Sequence, residues 1–152
     1  MPGEMPMELR FEVHAKIARR VADVFEAVVS PKQLSAYFTT GGASGALAEG
    51  VTVLWKFGDH PGEFPVRVVK LVRNERIEFS WETNSGGYDT QVVMSFEAVD
   101  AGTTLVRIAE SGWQETPLGL EDSYGNCSGW MQMLCCLKAW AEHRINLRQG
   151  FF

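Results

Sequence analysis

Hydrophobic and polar positions along this chain form a strand-like alternation, then a helical pair, then a series of strand-like runs, and finally a long amphipathic helix. Residues 7–16 alternate almost without fault. Met7, Leu9, Phe11, Val13 and Ala15 point one way and Glu8, Arg10, Glu12, His14 and Lys16 the other, as in a half-buried strand. From residue 19 the period changes, and Val21, Val24, Phe25 and Val28 follow the spacing of a helix stripe. Ser30-Pro31-Lys32-Gln33 restarts a helix, with Ser30 as cap, Pro31 at the first helical position and Gln33 closing a capping box. Leu34, Tyr37 and Phe38 form its buried side, and Gly41-Gly42-Ala43-Ser44-Gly45 reads as a flexible turn.

Strands then follow in quick succession. Val51, Val53, Trp55 and Phe57 alternate with polar or outward positions, and Gly58-Asp59-His60-Pro61-Gly62 reads as a loop leading to a run at 64–72. Arg73-Asn74-Glu75-Arg76 turns into Ile77, Phe79 and Trp81; Asn84-Ser85-Gly86-Gly87 turns into Val92, Met94 and Phe96; Asp100-Ala101-Gly102 turns into 103–111. Connections this short dictate antiparallel neighbours. Residues 112–124 read as a loop, and the last helix is expected over roughly 124–149, ended by Gly150. On a wheel, Trp130, Met133, Leu134, Leu137, Trp140, Ala141 and Ile145 fall within an arc of about 140°, with Lys138, Glu142 and Asn146 opposite. The order predicts an α+β helix-grip fold, β-α-α-β6-α, a curved antiparallel seven-stranded sheet wrapped around the terminal helix. It reads as a single domain over 1–152, with 1–6 as a loose leader.

Charge and composition narrow the function. A net charge of −5 argues against nucleic-acid binding, which needs a basic face; the Lys16/Arg19/Arg20 cluster reads as a solvated surface. No apolar run approaches the ~18–20 residues that span a bilayer. The amino end lacks a basic segment followed by an apolar stretch, so no secretory signal is read. Three cysteines, Cys127, Cys135 and Cys136, all in the last quarter, make no disulfide framework and fit a reduced, cytoplasmic protein.

Candidate chemistry is sparse. His14, His60 and His143 are not paired at ligand spacing, so neither a metal nor a cofactor is expected. Cys127, read as lying in the first turn of the last helix, is the best placed thiol, but structural cysteines are the plainer reading. The glycines at 41–45 lack the Lys-Ser/Thr of a phosphate cradle. The aromatic load says more. Trp55, Phe79, Trp81, Phe96, Trp113, Trp130 and Trp140 fall on or beside inward faces, where rings fill a core or line a pocket. Glu110 lies on the inward set if Val106 and Ile108 do, and a carboxylate removed from water there could act as acid, base or ligand partner; the alternation of 103–111 equally allows it to face water.

These residues resemble a known family. Val24-Phe25-Glu26-Ala27, Ser30-Pro31-Lys32-Gln33-Leu34, Asn74 to Trp81, Gly102-Thr103-Thr104-Leu105, Ser111-Gly112-Trp113 and Gly129 to Lys138 occur in the order of the START-like superfamily. Within it the chain is similar to the branch of the activator of Hsp90 ATPase C-terminal domain. The resemblance implies a cavity beneath the last helix and members that bind hydrophobic ligands, cyclise polyketides, confer resistance or assist chaperones. It implies no shared catalytic residue. The separate amino-terminal Hsp90-binding domain of true activators is not present in the sequence, which argues against an Hsp90-type chaperone partner.

The leading expectation is a binder of a small apolar or aromatic molecule. The expected lining is Trp55, Phe79, Trp81, Met94, Phe96, Glu110, Trp113, Trp130, Met133, Leu134 and Leu137, with Glu110 or Tyr88 orienting the ligand. A cyclase or hydrolase using Glu110, and a module acting on a chaperone ATPase, are the alternatives. A homodimer through a sheet edge or helix face stays open.

Overall fold

The structure, a computed structural model, describes residues 7–152. The leader expected over 1–6 lies outside the described residues. The first alternation forms β1 (Arg10–Ile17), and the helical pair forms α1 (Val21–Val29) and the single turn α2 (Pro31–Leu34). Strands β2 (Gly42–Ala43), β3 (Thr52–Phe57), β4 (His60–Val72), β5 (Arg76–Glu82), β6 (Asp89–Asp100) and β7 (Thr103–Ser111) follow, and α3 (Pro117–His143) closes the series. All seven strands join one antiparallel sheet in the order β1-β7-β6-β5-β4-β3-β2. This is the helix-grip architecture the pattern predicts.

The core lies between the sheet and the three helices. Alternation along β6 and β7 sends Val92, Met94, Phe96, Val106 and Ile108 inward, all buried. Helix α1 buries Val24, Phe25, Ala27, Val28 and Val29 and packs against α3, β6 and β7. Helix α3 buries Trp130, Met133, Leu134, Cys136, Leu137 and Ala141. Ser30 caps α2 by accepting the Gln33 N–H at 3.4 Å. Just beyond that turn, Tyr37 is wholly buried and its hydroxyl donates to the Ala27 carbonyl at 2.9 Å. Burial pushes the pKa of that phenol well above its ordinary value.

Three elements differ from the sequence reading. The glycine-rich stretch at 41–45 contains β2, whose Gly42 and Ala43 pair with Lys56 and Trp55; two residues are too few for alternation to show. The loop expected at 58–62 contracts to Gly58-Asp59, because Phe57 already pairs with His60 and β4 runs 13 residues. Helix α3 starts seven residues before the expected 124 and ends at His143 rather than 149.

The capping chemistry explains both ends of α3. Thr116 accepts the Gly119 N–H at 3.0 Å, and Pro117 takes the first helical position. Gly119 is required there, since a Cβ would collide with the Gln114 carbonyl oxygen. These opening turns carry no core stripe: Leu118 and Leu120 are exposed. At the far end Arg144 adopts the left-handed conformation, φ 56°, and stops the helix. Ile145, expected in the stripe, is therefore off the helix and 52% exposed. Cys127 lies in the third turn rather than the first, Cys135 is exposed and Cys136 is buried.

The carboxyl end of α3 is clasped to the end of β1. Glu142, expected on the wet side, accepts the Ala18 N–H at 2.8 Å and the Lys138 ammonium at 2.6 Å. Lys138 also donates to the Lys16 carbonyl and Arg19 to the Glu142 carbonyl. The Ala18 N–H, and after it Lys138, hold the Glu142 carboxyl below its ordinary pKa. A pKa lower in the folded than in the unfolded state contributes stability above the unfolded value, about 4.3 for glutamate, and loses it as pH falls through the folded value. Glu142→Gln is expected to cost about 1–2 kcal/mol at pH 7 by urea unfolding. That difference should shrink as pH drops below about 4; a pH-independent difference would contradict this clasp.

Candidate functional site

The buried polar centre of the molecule is Glu110, fully shielded from solvent. Thr104, Val106, Ile108 and Glu110 occupy successive inward positions of β7, so parity alone turns the carboxylate inward. Register supplies its partners. Val92 on β6 faces Glu110, which puts Thr90 diagonally beside it on the same sheet face, and Trp81 on β5 faces Thr90. From α3, Asn126 and Trp130 project one turn apart on the same side.

All four partners donate. Glu110 Oε2 accepts from Thr90 Oγ1 at 2.6 Å and Trp81 Nε1 at 3.0 Å. Oε1 accepts from Trp130 Nε1 at 2.7 Å, and Asn126 Nδ2 stands 3.0 Å from both oxygens. Asn126 is oriented in turn by Asn84, which donates to its Oδ1 at 3.2 Å. This donor set suits a carboxylate that only accepts. Every lone-pair direction is engaged, so the acid–base role considered for Glu110 has no free group behind it.

The two indoles that grip Glu110 belong to an aromatic layer. Trp81 and Trp130 have centroids 5.4 Å apart, Trp55 lies edge-on to Trp81 at 5.9 Å, and Phe79 edge-on to Trp81 at 5.5 Å. Phe38 approaches Trp130 at 5.8 Å and Phe57 at 5.0 Å.

Beyond this layer lies an open recess of about 200 Å³. One wall is α3, with Gly125, Asn126, Gly129, Trp130 and Gln132. Trp81, Glu82 and Asn84 come from the end of β5 and its turn, and Phe57, His60 and Phe64 from the β3–β4 hairpin. Phe38, Arg148 and Phe152 complete it. Arg148 fixes the segment after α3. Its guanidinium binds both oxygens of Asp59 in the hairpin turn, Nε at 2.7 Å and Nη2 at 2.8 Å, and lies over Phe57 at 5.0 Å and Phe38 at 5.6 Å. It is only 9% exposed, so its charge is spent on Asp59.

Of the residues expected to line a cavity, Trp81 and Trp130 face this recess. Trp55, Phe79, Met94, Phe96, Met133, Leu134 and Leu137 are packed in the core and do not line it. Glu110 sits behind the wall that its partners form. Trp113 is buried elsewhere, stacked on Phe11 at 5.5 Å, and Tyr88 accepts the Gln114 N–H away from the recess. The hollow therefore borders the middle of α3 along residues 125–132, whereas the helix face carrying Met133, Leu134 and Leu137 is filled by large side chains against the sheet. Sequence reasoning missed Asn126, Gln132, Arg148 and Phe152. Asn126 carried a usable signal, a polar residue one turn before an inward tryptophan; Arg148 carried none, since it lies past the periodic segment.

Among the cysteines, burial pushes the Cys136 thiol above its ordinary pKa, opposed by Arg148, as befits a structural residue. No helix among the described residues is long and apolar enough to cross a membrane.

The fold matches known proteins. Residues 18–142 match the family described as Activator of Hsp90 ATPase homolog 1-like protein, and the chain belongs to that family. Among solved structures it is similar to DynU16, a putative protein in the dynemicin biosynthetic locus, at 21% identity and TM-score 0.78. That match covers 90% of this chain but 48% of DynU16, so the chain spans about half of that protein. SSP2350 from Staphylococcus saprophyticus is 24% identical with TM-score 0.73, covering 91% of this chain and 96% of its own. The Aha1 dimer from Colwellia psychrerythraea is 24% identical with TM-score 0.72, covering 89% and 97%. These likenesses establish the fold. No curated protein matches the sequence.

Replacing Glu110 by Gln would turn an amide N–H₂ toward the donors from which one carboxylate oxygen now accepts, Trp130 and Asn126 at Oε1 or Trp81, Thr90 and Asn126 at Oε2. A buried donor left unpaired costs about 1–3 kcal/mol. Glu110→Gln is therefore expected to lower unfolding free energy by about 3 kcal/mol in urea titrations; a change below about 0.5 kcal/mol would show that the network does not hold the sheet to α3.

Proposed function

We propose that this chain binds a small aromatic molecule in the recess between α3, the β3–β4 hairpin and the segment carrying Arg148. The supporting observation is that Trp81, Trp130, Phe38, Phe57, Phe64 and Phe152 gather around one open hollow of about 200 Å³. A cavity of about 150 Å³ accepts benzene, so this one suits one or two rings, with the remainder of a larger molecule emerging through the mouth. Asn84, Asn126 and Gln132 offer amide groups at the wall, and Arg148 is neutralised by Asp59. Apolar pockets with a few placed polar groups are the usual form of small-molecule sites.

The magnitude is modest. Burying about 200 Å² of ring surface at about 25 cal/mol per Å² contributes about 5 kcal/mol, an affinity in the sub-millimolar range before any hydrogen bond is counted. Naphthol-sized alcohols titrated to millimolar concentration should therefore quench emission from Trp81 and Trp130 saturably, with a matching calorimetric isotherm. A flat response across one- and two-ring compounds by both methods would remove the recess as a binding site.

A further inference from the structure

Helix α3 carries two glycines one turn apart, Gly125 and Gly129, both in its interior and both at the recess wall. Glycine in a helix interior is about 1 kcal/mol less favourable than alanine. No packing requirement accounts for either: a Cβ at Gly125 or Gly129 would meet nothing within 4 Å. The contrast with Gly119 on the same helix is direct, because there the Gln114 carbonyl forbids a side chain. Both glycines are exposed and border the recess, so a methyl group at either would stand in open space at its wall. Asn126 and Trp130, each the residue after one of the glycines, are held by Glu110, so their positions are fixed.

We infer that Gly125 and Gly129 form a bare strip of helix backbone that sets the recess's specificity, admitting the face of a flat, uncharged aromatic ring at van der Waals distance. This rests on the binding role proposed above and names the ligand class. The uncharged character follows from the walls. Arg148, the guanidinium at the wall, is occupied by Asp59, Glu82 adds a carboxylate that disfavours an anionic ring, and the amides of Asn84 and Gln132 suit hydroxyl or carbonyl groups on the ring. A methyl at either glycine would lift the ring off the backbone and forfeit its dispersion contacts along that face.

The experiment uses 2-naphthol as probe, with calorimetry and thermal unfolding on the unaltered chain, Gly125→Ala, Gly129→Ala and Ser128→Ala. Ser128 is exposed on the same helix and does not line the recess. Each glycine variant is expected to bind at least about tenfold more weakly while melting ~2–4 °C higher in the absence of probe, because helix propensity improves. Ser128→Ala should bind as the unaltered chain does. A loss under threefold in both glycine variants overturns the strip and leaves the recess reading intact. A fall in melting temperature overturns it too, since it would mean that the space is not free. Equal weakening by Ser128→Ala would assign the effect to the helix at large and overturn the strip. Failure of the unaltered chain to bind the probe sinks both readings.

Discussion

A buried carboxylate with four donors around it sets the geometry of this molecule. Glu110 is the point where β5, β6, β7 and α3 meet through side chains rather than backbone: Trp81, Thr90, Asn126 and Trp130 each donate to it. A charge taken out of water is tolerable only if its hydrogen bonds are replaced, and an incomplete set would leave a penalty larger than most single core contacts. The requirement is reciprocal. Each indole N–H is itself buried and would be orphaned without the carboxylate, so the two rings are locked in position and orientation. The sheet's curvature and the height of α3 above it must satisfy those distances together. A purely apolar core could slide; this one has a fixed register between helix and sheet.

Fixing the indoles has a consequence along one side of α3. Trp81 and Trp130 use their nitrogens on Glu110 and so offer only ring faces and edges on their other side. Around them Phe38, Phe57 and Phe64 extend the aromatic surface. On the face turned to the sheet, by contrast, Met133, Leu134 and Leu137 are fully buried. The hollow survives where α3 offers Gly125 and Gly129 and disappears where it offers leucine and methionine. Side-chain size along one helix thus decides where the fold is solid and where it is open.

How much of this was legible in the sequence depends on whether a residue's role follows from periodicity. β1 and β5 to β7 alternate over seven or more residues, which put Phe79, Trp81, Met94 and Phe96 on one face but left the side taken by Glu110 open until the register of β7 was known. The opening turns of α3 failed that test because Leu118 and Leu120 face solvent; the Thr116-Pro117 cap was the signal present, and it is local rather than periodic. The two residues of β2 were too short to alternate. Glu142 looked like a solvated helix residue, and only tertiary proximity to the unpaired Ala18 N–H shows otherwise. The cavity lining was misplaced for a related reason. Periodicity says which residues point inward but not whether the space there is filled, which depends on how side chains from several elements meet. The donors that saturate Glu110 were likewise invisible until register brought them within 3.0 Å.

Two buried charges bracket the aromatic layer, and both are neutralised within the protein. Glu110 is met by four donors on the core side; Arg148 on the outer side forms a two-point pair with Asp59 and stacks over Phe57 and Phe38. The pair also draws the segment after α3 down onto the β3–β4 turn, and so builds the last wall of the recess from residues with no periodic signal of their own. Because each of these two charges is spent internally, the space between them presents mainly ring surface, helix backbone and amide groups, with Glu82 and His60 at the wall. An anion would find Arg148 already occupied, and a cation would find Glu110 shielded behind its donors. The electrostatics of folding and the shape of the recess are therefore one arrangement: the pairings that make the buried charges tolerable also position the rings and backbone that line it.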